Sequence, residues 1–170
     1  LEQSQQGRLK WLKEKCEGTT NIAELGCSSG YITNLVNGEV GIDFSIEILA
    51  ENQLKNSRVN WILADISHGI PLKDSSMDIV LLPDVLEHIS WRHCLKIIGD
   101  ALRVSKKKVL ITIPDGSNSG NTRNFACFKH KWILTRERLA KIESKFKCVT
   151  TTDGYFVCIE VVKDDNLDVS

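Results

Sequence analysis

The sequence lacks several features that would place it in a class at once. No two of its six cysteines have Cys-x-x-Cys spacing, and no cysteine–histidine cluster has the spacing of a zinc site, so we expect reduced thiols and no bound metal. No apolar run approaches the roughly 18 residues that a membrane span requires, and the sequence shows no signal peptide. We therefore expect a cytoplasmic protein without a membrane span.

An excess of charge of either sign is also absent. Lys plus Arg and Asp plus Glu both number 22, so the formal net charge is zero and gives no general attraction to nucleic acid. The 170 residues are 42% hydrophobic and 26% charged, which is typical of a globular protein. A chain of this length can form one sizeable core, and we find no internal repeat and no second domain.

Apolar strands alternate with helical segments along most of the chain, which predicts a mostly parallel sheet. The final two strands are separated by Asp153-Gly154, which indicates an antiparallel hairpin. We predict helices over 3–16, 30–37, 46–55, 91–104 and 134–145, and strands over 20–25, 39–43, 59–64, 78–83, 108–113, 147–152 and 155–162. The predicted fold class is α/β, with seven strands and a C-terminal antiparallel hairpin.

The most informative stretch is 22–30, Ile-Ala-Glu-Leu-Gly-Cys-Ser-Ser-Gly. A strand runs through Glu24 into a turn bracketed by Gly26 and Gly30, where small residues let a ligand approach the backbone. The helix that follows begins with free N–H groups. Seventeen residues after Gly26, a second apolar run ends in Asp43. Strand, glycine turn, helix, strand and acid form the layout of a nucleoside-binding βαβ unit.

Two kinds of nucleoside cofactor suit this layout. A dinucleotide fingerprint, Gly-x-Gly-x-x-Gly, would need glycine at the positions of Ser28 and Tyr31, so a nicotinamide-dependent oxidoreductase is disfavoured. A methyl-donor loop, acid-x-Gly-x-Gly-x-Gly, matches at Glu24, Gly26 and Gly30, with Ser28 in place of the middle glycine.

Four motifs in order resemble those of the S-adenosylmethionine-dependent methyltransferases of the seven-strand, Rossmann-like class, in particular the type 11-like members. They are Glu24–Gly30, Val40–Asp43, Ala64–Ile66 and Asp78–His88. The resemblance implies a three-layer sandwich, S-adenosylmethionine as cofactor and S-adenosylhomocysteine as product. It also implies one domain over 1–170, divided into an N-terminal helix (1–18), a cofactor-binding core (20–114), an acceptor-site loop (115–133), a late helix and hairpin (134–163) and a tail (164–170).

The resemblance assigns roles to individual residues. The first motif would line the methionine end of the cofactor, and Asp65 would contact the adenine amino group. Asp43 would hold the ribose, and its chemistry supports this role, because a carboxylate at a strand end can accept both vicinal hydroxyls. The implied cofactor-binding residues are Glu24, Gly26, Cys27, Ser28, Gly30, Asp43, Phe44, Asp65, Ile66 and Pro83.

Three residues are candidates for the transfer chemistry. His88 follows the fourth strand, and His130 lies in a segment where family members often carry a histidine. Histidine is the usual base for a hydroxyl near neutral pH, and Asp84 could orient it. The alternative interpretation is that Glu87 and His88 cap and solvate a short helix.

The acceptor stays open at this point. The implied function is methyl transfer to oxygen or nitrogen of a small-molecule or glycan/lipid-linked acceptor, with the loop 115–131 and the N-terminal helix forming its site. One alternative is a cofactor-binding module without turnover, and another is a nucleic-acid or protein methyltransferase. Enzymes that methylate nucleic-acid bases usually have Asp/Asn/Ser-Pro-Pro-aromatic where this chain has Leu82-Pro83-Asp84-Val85, which argues against that class.

Overall fold

The computed structural model describes residues 3–115 and 130–163, which form helices on both sides of one sheet. The helices are α1 (Gln3–Cys16), α2 (Tyr31–Leu35), α3 (Ile46–Lys55), α4 (Trp91–Val104) and α5 (Arg136–Lys145), with a 3₁₀ turn at Leu86–His88. The strands are β1 (Ile22–Leu25), β2 (Val40–Asp43), β3 (Asn60–Leu63), β4 (Met77–Pro83), β5 (Ser105–Pro114), β6 (Cys148–Thr152) and β7 (Phe156–Val162).

The seven strands lie in the order β3-β2-β1-β4-β5-β7-β6. Strands β1 to β5 are parallel, whereas β7 is antiparallel to both β5 and β6. The strand order reverses direction between β1 and β4, which are neighbours in the sheet and end at the same edge. Open α/β sheets bind their ligands at this position.

Strand β4 shows how the sequence forms a core on both faces of the sheet. Ile79 and Leu81 pack in the apolar cluster under α1 and α2, and Val80 and Leu82 pack in the larger cluster under α4 and α5. All four side chains are completely buried. The sequence of a strand that is covered on both faces is a continuous apolar run. This run is the pattern that predicts β4.

Two helices begin at residues whose side chains cap the first turn. The hydroxyl of Ser45 accepts a hydrogen bond from the N–H of Ile48 (3.3 Å), and that of Thr135 accepts one from Arg138 (3.3 Å). Each cap satisfies an N–H that the first turn of a helix leaves without a partner.

The predicted fold class is confirmed, and the differences concern element ends. Helix α2 has only five residues, Tyr31–Leu35, whereas the sequence predicts a helix over 30–37. Strand β5 begins at Ser105 instead of 108, because Ser105 pairs with Met77 ahead of a register shift. The hairpin at Asp153-Gly154 joins β6 to β7 as predicted.

The cysteines and the ends of the chain complete the comparison. Among the described residues, Cys16, Cys27, Cys94, Cys148 and Cys158 are free thiols, as predicted, and only Cys148 is partly exposed. Cys127, most of the predicted 115–131 loop and the predicted tail lie outside the described residues. Within the part of the chain that the structure describes, no helix is long and apolar enough to cross a membrane.

Candidate functional site

The turn after β1 is held against the end of β2. The N–H groups of Gly26 and Cys27 both donate to the carbonyl oxygen of Ile42, at 2.7 and 3.0 Å. Gly26 and Gly30 both have φ of +70°, and Ser28 has φ of +44°, so the turn passes three times through left-handed backbone. Glycine adopts this conformation without the Cβ penalty of other residues.

The neighbours of the turn leave no room for larger side chains. A Cβ on Gly26 would lie 2.6 Å from the Cγ2 of Val85, and one on Gly30 would lie 2.6 Å from the Cη2 of Trp61. The side-chain amide of Asn52 donates to the carbonyl oxygen of Ser28 at 2.6 Å. The turn is thus fixed from α3, from β3 and from the segment after β4.

Asp43 directs its carboxylate at this turn. One oxygen accepts the N–H of Ser28 at 2.9 Å, and the other accepts the N–H of Ser45 at 3.0 Å. The residue is 7% exposed. Each carboxylate oxygen can accept two hydrogen bonds, so each retains capacity for one more donor. Two such sites at the end of β2 suit the two hydroxyls of a ribose.

Large apolar side chains are exposed around Asp43. Phe44 directly follows β2 and is 76% exposed, and Leu63 ends β3 and is also exposed. Tyr31 and Ile46, the first residues of α2 and α3, are exposed as well. Because Asp43 pairs with Leu63, the side chains of Phe44 and Leu63 stand at neighbouring strand ends. An exposed apolar surface there suits a flat ligand such as a purine.

The other predicted cofactor residues have different surroundings. Asp65 is an exposed acid whose carboxylate accepts the N–H of Ser67 at 2.9 Å, a hydrogen bond that lowers its pKa. Ile66 beside it is buried in the core. Cys27 is buried, and burial raises the pKa of its thiol far above the ordinary value, so it remains protonated. Pro83 is buried at the end of β4.

Glu24 lies away from solvent, beneath α2. Its carboxylate accepts a hydrogen bond from the Thr33 hydroxyl, and both residues are buried. Burial raises the pKa of Glu24 to about 8, although the hydrogen bonds from Thr33 oppose this shift. The described contact is with the helix, so a contribution of Glu24 to ligand binding would pass through the position of α2 and the turn before it.

The raised pKa of Glu24 makes stability depend on pH. Between about 4.5 and about 8 the folded state holds a proton that the unfolded chain has lost, so stability should fall as pH rises through this window. We expect Glu24→Gln to reduce this slope by up to about 1.4 kcal/mol per pH unit, the limit for one proton. Urea unfolding at several pH values between 5 and 9 measures it.

Glu47→Gln is the matched control for this experiment. Glu47 is fully exposed, and hydrogen bonds from its own backbone N–H and from the Ser45 hydroxyl lower its pKa, so its contribution lies below pH 4.5. Equal slopes for wild type and Glu24→Gln would show that Glu24 is ionised in the folded protein at neutral pH.

A second group of polar residues follows β4. The carboxylate of Asp84 accepts the hydroxyl of Thr112 at 2.8 Å and lies 2.7 Å from the Nη1 of Arg8. The contact between Arg8 and Asp84 is an ion pair that lacks the alignment of a hydrogen bond. Arg8 is buried, and its guanidinium carbon lies 4.7 Å from the ring centroid of Phe156. Burial raises the pKa of Asp84, and the positive charge of Arg8 opposes it. Helix α1 is thereby tied to the carboxyl end of β4.

Glu87, His88 and His130 lie together beside Asp84. A potential ligand atom from each lies within 4.8 Å of the other two, and the rings of His88 and His130 meet edge to face with centroids 4.8 Å apart. Both imidazoles are partly exposed, whereas Glu87 is 1% exposed. The sequence predicted His88, His130 and Asp84 as candidates, and the structure brings all three to the same strand end.

A comparison with protein families decides the class. A family model described as a methyltransferase domain matches residues 23–113, just over half of the chain. The chain belongs to this methyltransferase domain family. This membership confirms the family predicted from the four motifs, the S-adenosylmethionine-dependent methyltransferases, and S-adenosylmethionine as the cofactor of that family.

Two curated relatives are similar to parts of this chain. It is 29% identical over 140 residues to an uncharacterized protein of Methanocaldococcus jannaschii, covering 80% of this chain and 59% of that one. It is 31% identical over 101 residues to a probable S-adenosylmethionine-dependent methyltransferase of Mycolicibacterium smegmatis, covering 55% of this chain and 36% of that one. The chain therefore spans between about a third and three fifths of the length of these curated relatives.

The fold of the methyltransferase is also similar to solved structures. The magnesium protoporphyrin IX methyltransferase of Synechocystis, solved with bound S-adenosylhomocysteine, superposes with a TM-score of 0.68 at 15% identity, over 93% of this chain and 81% of that one. At this identity the similarity concerns the fold.

Several residues that shape the methyltransferase site were missed by sequence reasoning. They are Arg8, Thr33, Asn52, Trp61 and Thr112. Each acts on a partner at least nine positions away in the sequence, such as Arg8 on Asp84 or Asn52 on Ser28. No short motif contains these pairs. The one available signal was the position of Arg8, one helical turn before Leu12 and so on the apolar side of α1.

Proposed function

We propose that this protein transfers a methyl group from S-adenosylmethionine to an oxygen or nitrogen atom of a small-molecule or glycan/lipid-linked acceptor. The observation that supports it most is the Asp43 carboxylate, which faces the glycine turn and retains one acceptor position on each oxygen. Two hydroxyls of a ribose would occupy these positions.

The remaining cofactor contacts follow from the same geometry. The exposed faces of Phe44 and Leu63 would pack on the adenine, with Asp65 at the adjacent strand end as acceptor for its amino group. The turn from Gly26 to Gly30 would carry the methionine end, because its backbone is open to close approach. In this arrangement the reactive methyl group would lie over the end of β4, beside Pro83 and Asp84.

For methyl transfer the protein mainly has to position the two reactants and exclude water from the site. When bound, the cofactor supplies a methyl group on a positively charged sulfur, and the breaking carbon–sulfur bond leaves its electron pair on sulfur, giving S-adenosylhomocysteine. The acceptor lone pair forms the new bond to carbon. His88 or His130 would take the proton from a hydroxyl acceptor, since neutral imidazole is a suitable base near pH 7.

We expect the variant that removes the base, either His88→Gln or His130→Ala, to lower turnover at least about 100-fold for a hydroxyl acceptor, the usual contribution of a general base. Affinity for S-adenosylhomocysteine should stay within about twofold of wild type. Release of S-adenosylhomocysteine, measured over a panel of hydroxyl and amine acceptors, gives the turnover, and calorimetry gives the affinity.

His93→Gln serves as the control, because His93 lies in the first turn of α4 and outside the group of Glu87, His88 and His130. Full activity in both test variants would remove the histidines from the mechanism. Tight binding of S-adenosylhomocysteine with no methyl release from any acceptor would instead favour the binding module without turnover.

A further inference from the structure

Two hydrogen bonds fix the segment around His130 against the 3₁₀ turn. The N–H of Lys131 donates to the carbonyl oxygen of Glu87 at 2.7 Å, and the indole N–H of Trp132 donates to the carbonyl oxygen of Ile89 at 2.8 Å. Trp132 is buried and meets the ring of Trp91 edge to face at 5.1 Å. The position of His130 opposite Glu87 and His88 is therefore set by packed neighbours.

The carboxylate of Glu87 has an unusual environment. It is 1% exposed, and neither of its oxygens has a hydrogen-bond partner among the described residues. A buried polar group without a partner is costly, and a buried unpaired charge is more so. An acidic side chain held in this way needs a proton or a cation.

The side chains around Glu87 are those that bind a cation. Two imidazoles and one carboxylate form a donor set that zinc and iron(II) sites use, with further coordination positions left open. We propose that Glu87, His88 and His130 bind one divalent transition-metal ion of the zinc type, although the sequence predicted no metal site.

The geometry requires a small adjustment on binding. Ligand atoms about 2.1 Å from a tetrahedral ion lie roughly 3.4 Å from one another, and here the set spans 4.8 Å. Rotation of the two partly exposed imidazoles toward the buried carboxylate closes this gap. Asp84 is held by Arg8 and Thr112 and balances charge next to the ion.

The open coordination positions give the ion a role, and this role rests on the proposed function. The ion would hold an oxygen of the acceptor at the end of β4 and lower the pKa of a bound hydroxyl. With the ion bound, His88 and His130 would act as its ligands, and this activation would replace proton removal by an imidazole. This favours an acceptor that presents a hydroxyl or an adjacent pair of oxygens over an amine. Loss of the metal would then lower turnover and leave cofactor affinity unchanged.

The test is a calorimetric titration of the EDTA-treated and dialysed chain with Zn²⁺, without cofactor. Elemental analysis then gives the metal content after gel filtration. We expect one equivalent of Zn²⁺ for wild type and for His93→Gln. In Glu87→Gln and His130→Ala we expect the dissociation constant to rise by at least about 10- to 100-fold, the effect recorded for even the indirect partners of a metal. Circular dichroism checks that each variant folds.

The outcomes separate the two proposals. Zinc binding that is absent in wild type, or equal in wild type and Glu87→Gln, would overturn the metal site, because the ion would then be bound elsewhere or not at all. A separate titration with S-adenosylhomocysteine tests the cofactor site. If the protein binds S-adenosylhomocysteine but does not bind zinc, only the metal inference fails. If it binds zinc but does not bind S-adenosylhomocysteine, only the proposed function fails.

Discussion

Replacing Asp43 with alanine should weaken the binding of S-adenosylhomocysteine by about 2–4 kcal/mol, which is roughly 30- to 1,000-fold in Kd. The reason is that two ribose hydroxyls would lose their acceptor in a site where Asp43 is 7% exposed, so water cannot fully replace it. Isothermal titration calorimetry measures the affinity. An unchanged Kd would remove the basis of the proposed cofactor site.

A second ligand separates direct contact from damage to the turn. Asp43 also accepts the N–H groups of Ser28 and Ser45, so its loss could loosen the turn without any contact to ribose. An analogue of S-adenosylhomocysteine that lacks one ribose hydroxyl should bind wild type more weakly than S-adenosylhomocysteine does. Asp43→Ala should bind the analogue and S-adenosylhomocysteine with the same affinity. If removal of the hydroxyl raises the Kd of both proteins by the same factor, Asp43 contributes only by holding the turn in place.

The cofactor half of the site could be predicted because its residues are close in sequence. A strand, a small-residue turn and an acid at the next strand end lie within 22 residues, and parallel strands bring their carboxyl ends together. The sequence therefore predicts that the glycine turn and Asp43 lie next to each other. It could not show that Glu24 turns beneath α2, because strand alternation does not say which helix covers each face.

The half of the site beyond β4 could be predicted only as separate residues. His88 and His130 are 42 positions apart, and their approach depends on the hydrogen bond from Lys131 to Glu87 and on the packing of Trp132. The sequence interpretation of Glu87 as a solvated cap is wrong, because the side chain is 1% exposed. Its burial results from contacts between distant segments, which local periodicity does not encode.

The glycine turn also carries a strong prediction for stability. We expect Gly26→Ala to lower the free energy of unfolding by about 2–5 kcal/mol, as the sum of two effects. Left-handed backbone costs about 1–2 kcal/mol for a residue with a Cβ, and Gly26 has φ of +70°. The new methyl group would also lie 2.6 Å from the Cγ2 of Val85, and such overpacking costs about 1–3 kcal/mol. Urea unfolding at constant pH measures the change.

Two further variants separate the backbone effect from the overlap. Gly18 has φ of +68° with no atom within 4 Å of a built Cβ, so Gly18→Ala should show the backbone cost alone, about 1–2 kcal/mol. The double variant with Val85→Ala and Gly26→Ala should lose less free energy of unfolding than the two single variants lose together, because the shortened side chain removes the overlap. If Gly26→Ala costs no more than Gly18→Ala, Val85 moves aside freely. The segment leading from Asp84 to Glu87 would then be too loosely held to define the site that the two histidines share.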